Sequence, residues 1–402
     1  MHRTKSFVTA TLMAVASLFM FSGPSAAQDA GSRTEEQARE QEKKALASTP
    51  DQAPWIERQI IGIEQAGGFG VARGVTAAFG DIKRGSGIAL GPAYGKTFAS
   101  GAVFWTKAVY SISSYKLLQA SFASGPIAEG RLTFRGRARW QEAPGGLVFP
   151  LGPDSPEQHG KYAETKTELS GAATFRPQRF LRFEAGAAIE RYQTDLPFVR
   201  SEEALPPLLE GLPGAGTDPR YLHSFGSAAI DSRDGPGYSR RGTVLQAAVH
   251  AYDDRTGSQS FQRVDGLAEQ YVPILQGNWV LYVGLRASTT STSGDNAVPF
   301  FLMPDLGGAD LRGFGNYRFR DRHSILATVE YRWYAQEYLD GAIFYDAGKT
   351  VPDRRSLDFS ELKSSVGAGI RLHTPQSTVL RLELARSREG LRFILAFSPV
   401  GG

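Results

Sequence analysis

The sequence predicts an all-β fold, a transmembrane antiparallel β-barrel of about 16 strands. Three observations carry this expectation. Apolar and polar residues alternate with period two from Gly68 almost to the C-terminus, the pattern of strands with one apolar face. Long connectors follow odd-numbered candidate strands and short ones follow even-numbered strands, the end-to-end asymmetry of an outer-membrane barrel. Beyond the N-terminal 27 residues, no apolar run approaches the roughly 20 residues that a membrane helix needs.

The chain opens with His2, Arg3 and Lys5, followed by the apolar FVTATLMAVASLFMF (7–21) and then PSAA. A basic flank, a short apolar core and a small-residue exit predict a secretory signal peptide over 1–27, with the mature chain starting near Gln28 and leaving the cytoplasm. Residues 28–67 read as a polar linker or short helix, built from TEEQAREQEKKALA (34–47) and the proline-containing STPDQAP. The barrel is expected over 68–402. Its sixteen candidate strands lie near 68–79, 85–95, 101–111, 115–124, 130–142, 162–175, 179–191, 219–232, 238–253, 258–272, 277–288, 323–334, 340–348, 362–373, 377–387 and 390–398.

The alternation is clearest in three segments. Ile325, Ala327, Val329, Tyr331 and Trp333 oppose Leu326, Thr328, Glu330 and Arg332. Leu132, Phe134, Ala138 and Trp140 oppose Thr133, Arg135, Arg137 and Arg139. Leu181, Phe183, Ala185, Ala187 and Ile189 oppose Arg182, Glu184 and Glu190. A soluble sandwich also alternates, but nothing in a sandwich demands long connectors at 143–161, 192–218, 289–322 and 349–361 with tight RPQR (176–179) and TPQS (374–377) turns at the other end. In the last strand Leu391, Phe393, Leu395 and Phe397 share a lipid-facing stripe. Gly390, Phe393 and Leu395, with Arg388 ahead and Phe397 behind, resemble the C-terminal signal by which outer-membrane barrels are recognised for assembly. Five further residues follow Phe397, where many barrels end on the aromatic.

Composition narrows the function. The chain has no cysteine, which removes disulfides and thiolate chemistry, and its net charge of +4 is too small to argue for nucleic acid. The mature histidines, His159, His223, His250, His323 and His373, show no metal-binding spacing, and there is no G-x-S-x-G elbow. GFGVARG (68–74) superficially resembles a nucleotide loop but lacks the glycine spacing. No enzyme activity, cofactor or metal is expected. The basic strip of Arg135, Arg137 and Arg139 faces the lumen, where it would either attract anions, as in a passive or anion-preferring pore, or balance Glu184, Glu190 and Glu383.

The polar, glycine-rich GGADLRGFGNYRFR (307–320) sits in the long loop after the eleventh strand. Its LRGF (311–314), the FYDAG (344–348) of the thirteenth strand and the DSRDGPGYSRRG (231–242) turn together resemble the signatures of the BamA/TamA superfamily of outer-membrane barrels. Alternation itself puts Glu330, Phe344, Asp346 and Gly348 on the lumen face. In a charge-poor, partly dehydrated lumen a guanidinium takes a bidentate carboxylate partner. The resemblance implies that the loop folds inward, with Arg312 paired to Asp346 and Glu330 nearby. Gly313 would allow the sharp turn, and Phe314 would pack on the wall.

The same resemblance implies assembly or translocation of proteins at the outer membrane of a Gram-negative bacterium. Expected partners are outer-membrane lipid, client outer-membrane or secreted proteins, and a periplasmic partner, with no nucleic acid. Only about 40 residues separate the expected cleavage site from the first strand, too few for the polypeptide-transport-associated domains of that superfamily. A lipid-linked barrel without translocase activity is therefore a further reading. The glycine- and alanine-rich first strand and Pro92 in the second also predict weak pairing at the closing seam.

Overall fold

In a computed structural model, residues 74–80, 82–195, 211–275, 278–336, 338–374 and 377–396 are described. The expected signal peptide, the linker, the start of the first strand and Phe397 lie outside the described residues. Those described belong to one unit, Ile60–Gly402.

Eleven strands come first: β1 (Gly74–Gly80), β2 (Ala89–Thr97), β3 (Val103–Ser111), β4 (Lys116–Ala123), β5 (Leu132–Val148), β6 (Gly160–Gln178), β7 (Leu181–Asp195), β8 (Arg220–Asp231), β9 (Gly242–Asp254), β10 (Phe261–Ile274) and β11 (Trp279–Ser291). A two-residue hairpin, β12 (Asp305–Leu306) and β13 (Phe319–Arg320), lies within the following loop. The wall resumes with β14 (His323–Gln336), β15 (Leu339–Val351), β16 (Lys363–His373), β17 (Thr378–Ser387) and β18 (Gly390–Ala396). One 16-stranded sheet runs in chain order from β1 to β11 and on from β14 to β18, each strand antiparallel to the next. The loop hairpin is a separate two-stranded sheet.

The inside-out arrangement follows from the alternation. Val329 on β14 is 43% exposed on the lipid-facing side, while its neighbour Glu330 is fully buried. Phe134, Leu169, Ile189, Val249, Ile343 and Phe393 continue the outer apolar surface around the wall. Near the ends of β11 and β14, Trp279, Tyr331 and Trp333 cluster, with ring centroids 5.8 and 6.3 Å apart, in the manner of an interfacial aromatic girdle.

Among the strand boundaries that depart from the expectation, two have a local cause. The fifth strand runs on to Val148, because Pro144 and Gly145 are absorbed in a register shift between Ala143 and Gly146 and do not end the ladder. The ninth begins at Gly242 and not near 238, because the preceding residues fold as a turn that packs elsewhere. That turn, 232–241, is also longer than a short-connector end predicts. The β2–β3 ladder skips Gly91 and Pro92, consistent with local weakening there.

Candidate functional site

The loop between β11 and β14, residues 292–322, builds the site. Leu306, Leu311, Phe314 and Phe319 form its own small core together with Leu326 of β14. Phe314 packs edge-on to Phe319 at 5.1 Å, so it chiefly closes the loop on itself, and Leu326 is its link to the wall in this cluster. Gly313 has φ of +99°, and a Cβ there would come within 2.9 Å of the Ser365 Cβ. Glycine is therefore required both for the backbone conformation and for the close approach to β16. At Gly348 on β15 a Cβ would lie 3.0 Å from Leu306 Cδ1, so this glycine lets the loop hairpin lie flat on the wall.

With the loop so placed, Arg312 points into the wall of β14 to β17 and is 1% exposed. Its Nε and Nη2 donate to Asp346 Oδ2 and Oδ1 at 2.7 and 2.8 Å, a bidentate fork. Its backbone N–H adds a third bond to Asp346 Oδ2 at 3.2 Å. Nη1 donates to Glu330 Oε2 and to Glu383 Oε1, both at 3.0 Å. The guanidinium lies 3.3 Å from the centroid of the Phe344 ring, a cation–π contact in a desolvated setting. Burial works to lower the Arg312 pKa, but the bonds and charges of Asp346, Glu383 and Glu330 outweigh it and raise the pKa above the ordinary arginine value.

The surroundings are not charge-poor, and that expectation is corrected. Arg332 and Arg371 both donate to Glu330, Arg371 also reaches Glu383 at 3.2 Å, and Arg381 Nη1 lies 3.5 Å from Glu383 Oε2. Thr328 Oγ1 donates to Asp346 Oδ1 at 3.0 Å. Four guanidiniums thus share three carboxylates in a buried cluster. Each carboxylate accepts from more than one donor, which offsets part of the cost of burying it. Arg371 and Arg381 were not assigned from the sequence; Arg332 was placed only on the lumen face, and Glu383, weighed as a counter-charge for the basic strip, instead accepts from Arg312 and Arg371.

A second set of contacts holds the loop to both ends of the sheet. From the β1–β2 connector, Arg84 reaches Asp305 at 2.5 Å, Asp310 at 3.1 Å and the Gly307 carbonyl at 3.2 Å, and covers the Tyr317 ring at 4.4 Å. Burial tends to lower the Arg84 pKa, but Asp305 and Asp310 prevail and raise it. From the other end, Ser387 Oγ donates to the Gly313 carbonyl at 2.7 Å, and Glu389 in the β17–β18 turn accepts from Arg318 Nε at 2.8 Å. Arg318 also donates to the Ser155 carbonyl and hydroxyl, both at 2.7 Å. Arg318 and Arg320 are buried, not solvated, while Arg322 is exposed and donates to the Pro352 carbonyl.

The basic strip lies on the lumen side of β5, and its members have partners. Arg135 donates to Glu184, Arg137 Nε to Glu168 Oε1 at 2.9 Å, and Arg139 to Gln141. Arg135 and Arg137 keep side chains 55% and 46% exposed and border a cavity of about 440 Å³ with Trp105, Gln119 and Ser121. Glu190, weighed as a partner for the strip, instead accepts from Lys166 and His223. The β8–β9 ladder brings His223 and His250 together, Nε2 to Nδ1 at 3.0 Å, although their spacing in the chain looked scattered. Among the described residues no group of three or more His, Asp or Glu is arranged to hold a metal ion. Gly390 opens β18 with φ of +110°, and Phe393 and Leu395 are exposed on the outer face.

These features define a class: a sixteen-stranded antiparallel transmembrane barrel with its longest loop folded into the lumen and fastened there by a buried arginine. The Omp85 superfamily domain matches residues 106–389, most of the chain, and the protein belongs to that superfamily. Among solved structures, the fold is similar to that of BamA from Haemophilus ducreyi lacking POTRA domains 1–3, with a TM-score of 0.60 and 13% identity over 81% of this chain and 69% of that one. No curated protein matches the sequence.

Proposed function

We propose that this barrel inserts or translocates proteins at the outer membrane of a Gram-negative bacterium, with outer-membrane or secreted proteins as clients. The observation that carries the reading is the loop held by Arg312 and tied to both end hairpins through Arg84 and Arg318. A loop placed this way senses the relative position of the first and last strands, where a client strand would be admitted. Membership of the Omp85 superfamily and the BamA-like fold support the reading. The protein acts by holding and presenting strands and carries out no bond chemistry, so no catalytic residue, cofactor or metal enters the mechanism. A periplasmic partner would capture clients and deliver them to the short-connector end.

A passive, anion-preferring pore is the rival. Against it stands the pairing of Arg135 and Arg137 with Glu184 and Glu168, which cancels much of the positive field along the strip. The deciding experiment compares quantitative outer-membrane and surface proteomes with and without the gene. Selective loss of one or a few barrels or secreted proteins supports the assembly reading and names the clients. An unchanged proteome overturns it.

A further inference from the structure

The turn between β8 and β9 does more than reverse the chain. Two-residue connections suffice for neighbouring antiparallel strands, yet the tip of residues 232–241 reaches non-neighbouring strands of the same sheet. Strands β10, β11 and β14 lie between β9 and the strands that the turn touches. Gly237 forms an isolated parallel bridge with Ser377, and its carbonyl accepts from the Thr378 N–H at 2.9 Å. Tyr238 Oη donates to Asp340 Oδ2 at 2.6 Å, and its ring stacks on His373 at 3.8 Å and 8°. Arg240 Nη1 donates to the Tyr238 oxygen at 2.7 Å.

The turn is built to keep this shape. Asp234 Oδ1 accepts from the backbone N–H groups of Gly235, Arg240 and Arg241 at 3.1, 3.0 and 3.3 Å, and Ser239 Oγ donates to the Gly235 carbonyl at 2.7 Å. At its root Arg233 makes a two-point contact with Asp231 and lies 3.7 Å from Glu269. Glu269 accepts from Tyr271 and Tyr282 at 3.2 and 3.1 Å. Those two rings flank the Arg332 guanidinium at 5.5 and 5.2 Å, and Arg332 donates to Glu330, which also holds Arg312. An unbroken series of contacts therefore runs from the turn to the lumenal loop.

We propose that the β8–β9 turn is a latch across the short-connector end of the lumen, which shields the ion cluster beneath the loop from that side and releases as a unit when the Tyr238 contacts to Asp340 and His373 break. The latch confines entry from that end to the open side lined by Arg135 and Arg137. It is a property of the barrel itself and does not depend on the assembly reading.

The test uses the purified full-length protein in planar lipid bilayers. Because the chain has no cysteine of its own, the pair Gly237→Cys and Ser377→Cys introduces a single disulfide between bridged positions. Tyr238→Ala is expected to raise open-state occupancy about tenfold, equivalent to about 1.4 kcal/mol of lost contact. The oxidised pair is expected to suppress openings, with the current restored by reductant. If Tyr238→Ala does not fold, the disulfide pair alone decides. Equal currents in the oxidised and reduced pair overturn the latch, and since no client is present, that result leaves the assembly proposal untouched.

Discussion

Arg312 of the lumenal loop and Asp346 of β15 meet through two parallel hydrogen bonds of 2.7 and 2.8 Å, with both side chains buried. The pair fixes the position of the loop, yet the two partners are not equivalent. Removing Arg312 leaves the buried Asp346 carboxylate with Thr328 bonded to it but no cation among the described residues, because Arg332, Arg371 and Arg381 pair with Glu330 and Glu383. Removing the Asp346 charge leaves Arg312 still bonded to Glu330 and Glu383.

Arg312→Ala is therefore expected to free the loop, seen as faster proteolysis within 292–322, and to cost about 3–5 kcal/mol, as for a buried charge stripped of its partner. Asp346→Asn is expected to cost less, because Arg312 keeps two carboxylate partners. Equilibrium unfolding of both variants in lipid or detergent checks the order, and the reverse order would contradict the pairing described.

Gly313→Ala tests backbone and space together. A positive φ and a 2.9 Å approach to Ser365 predict a loss of about 1–3 kcal/mol. Gly211→Ala also sits at positive φ but meets nothing within 4 Å, and serves as the comparison. A smaller effect at position 313 than at 211 would mean that the loop does not pack against β16 as described.

Arg84→Ala removes contacts to Asp305, Asp310 and the Gly307 carbonyl, which are partly exposed. The expected cost is on the order of 1 kcal/mol after solvent screening. Because Arg84 and Arg312 hold the same loop from different sides, their double variant should lose less than the sum of the singles. Additive losses would indicate that the two anchors act independently.

The 352–362 connector carries a pH signature. Hydrogen bonds from Lys349 and from the Ser360 side chain and backbone hold the Asp358 carboxyl down at about 2. With the folded pKa depressed, the contribution is complete above the ordinary aspartate value near 4 and is lost as pH falls through about 2. Protection of the Ser360 amide against hydrogen exchange should persist at pH 3 and disappear near pH 2. Loss of protection already at pH 4 would contradict the assignment.

Much of the wall was legible because a barrel strand announces itself by alternation. Glu330, Phe344 and Asp346 could be placed on the lumen face without knowing any contact. Which lumen residues meet was another matter, since Arg312 and Glu383 stand 71 positions apart and their contact depends on the path of the loop. Arg84 was passed over because the β1–β2 connector reads as an ordinary turn, and its partners lie more than 220 positions away. The β8–β9 turn misled for a related reason. Its glycines and proline announce a turn, whereas its length is explained by Tyr238 reaching Asp340 and His373.

The most direct measurement is complementation of a deletion strain with the wild-type gene or with Arg312→Ala at matched levels of folded barrel, read by outer-membrane and surface proteomics. The wild type should restore a small set of barrels or secreted proteins, and the variant should fail to restore them. A proteome that is unchanged by the deletion, or restored equally by both genes, would contradict a loop-dependent role in protein assembly or translocation.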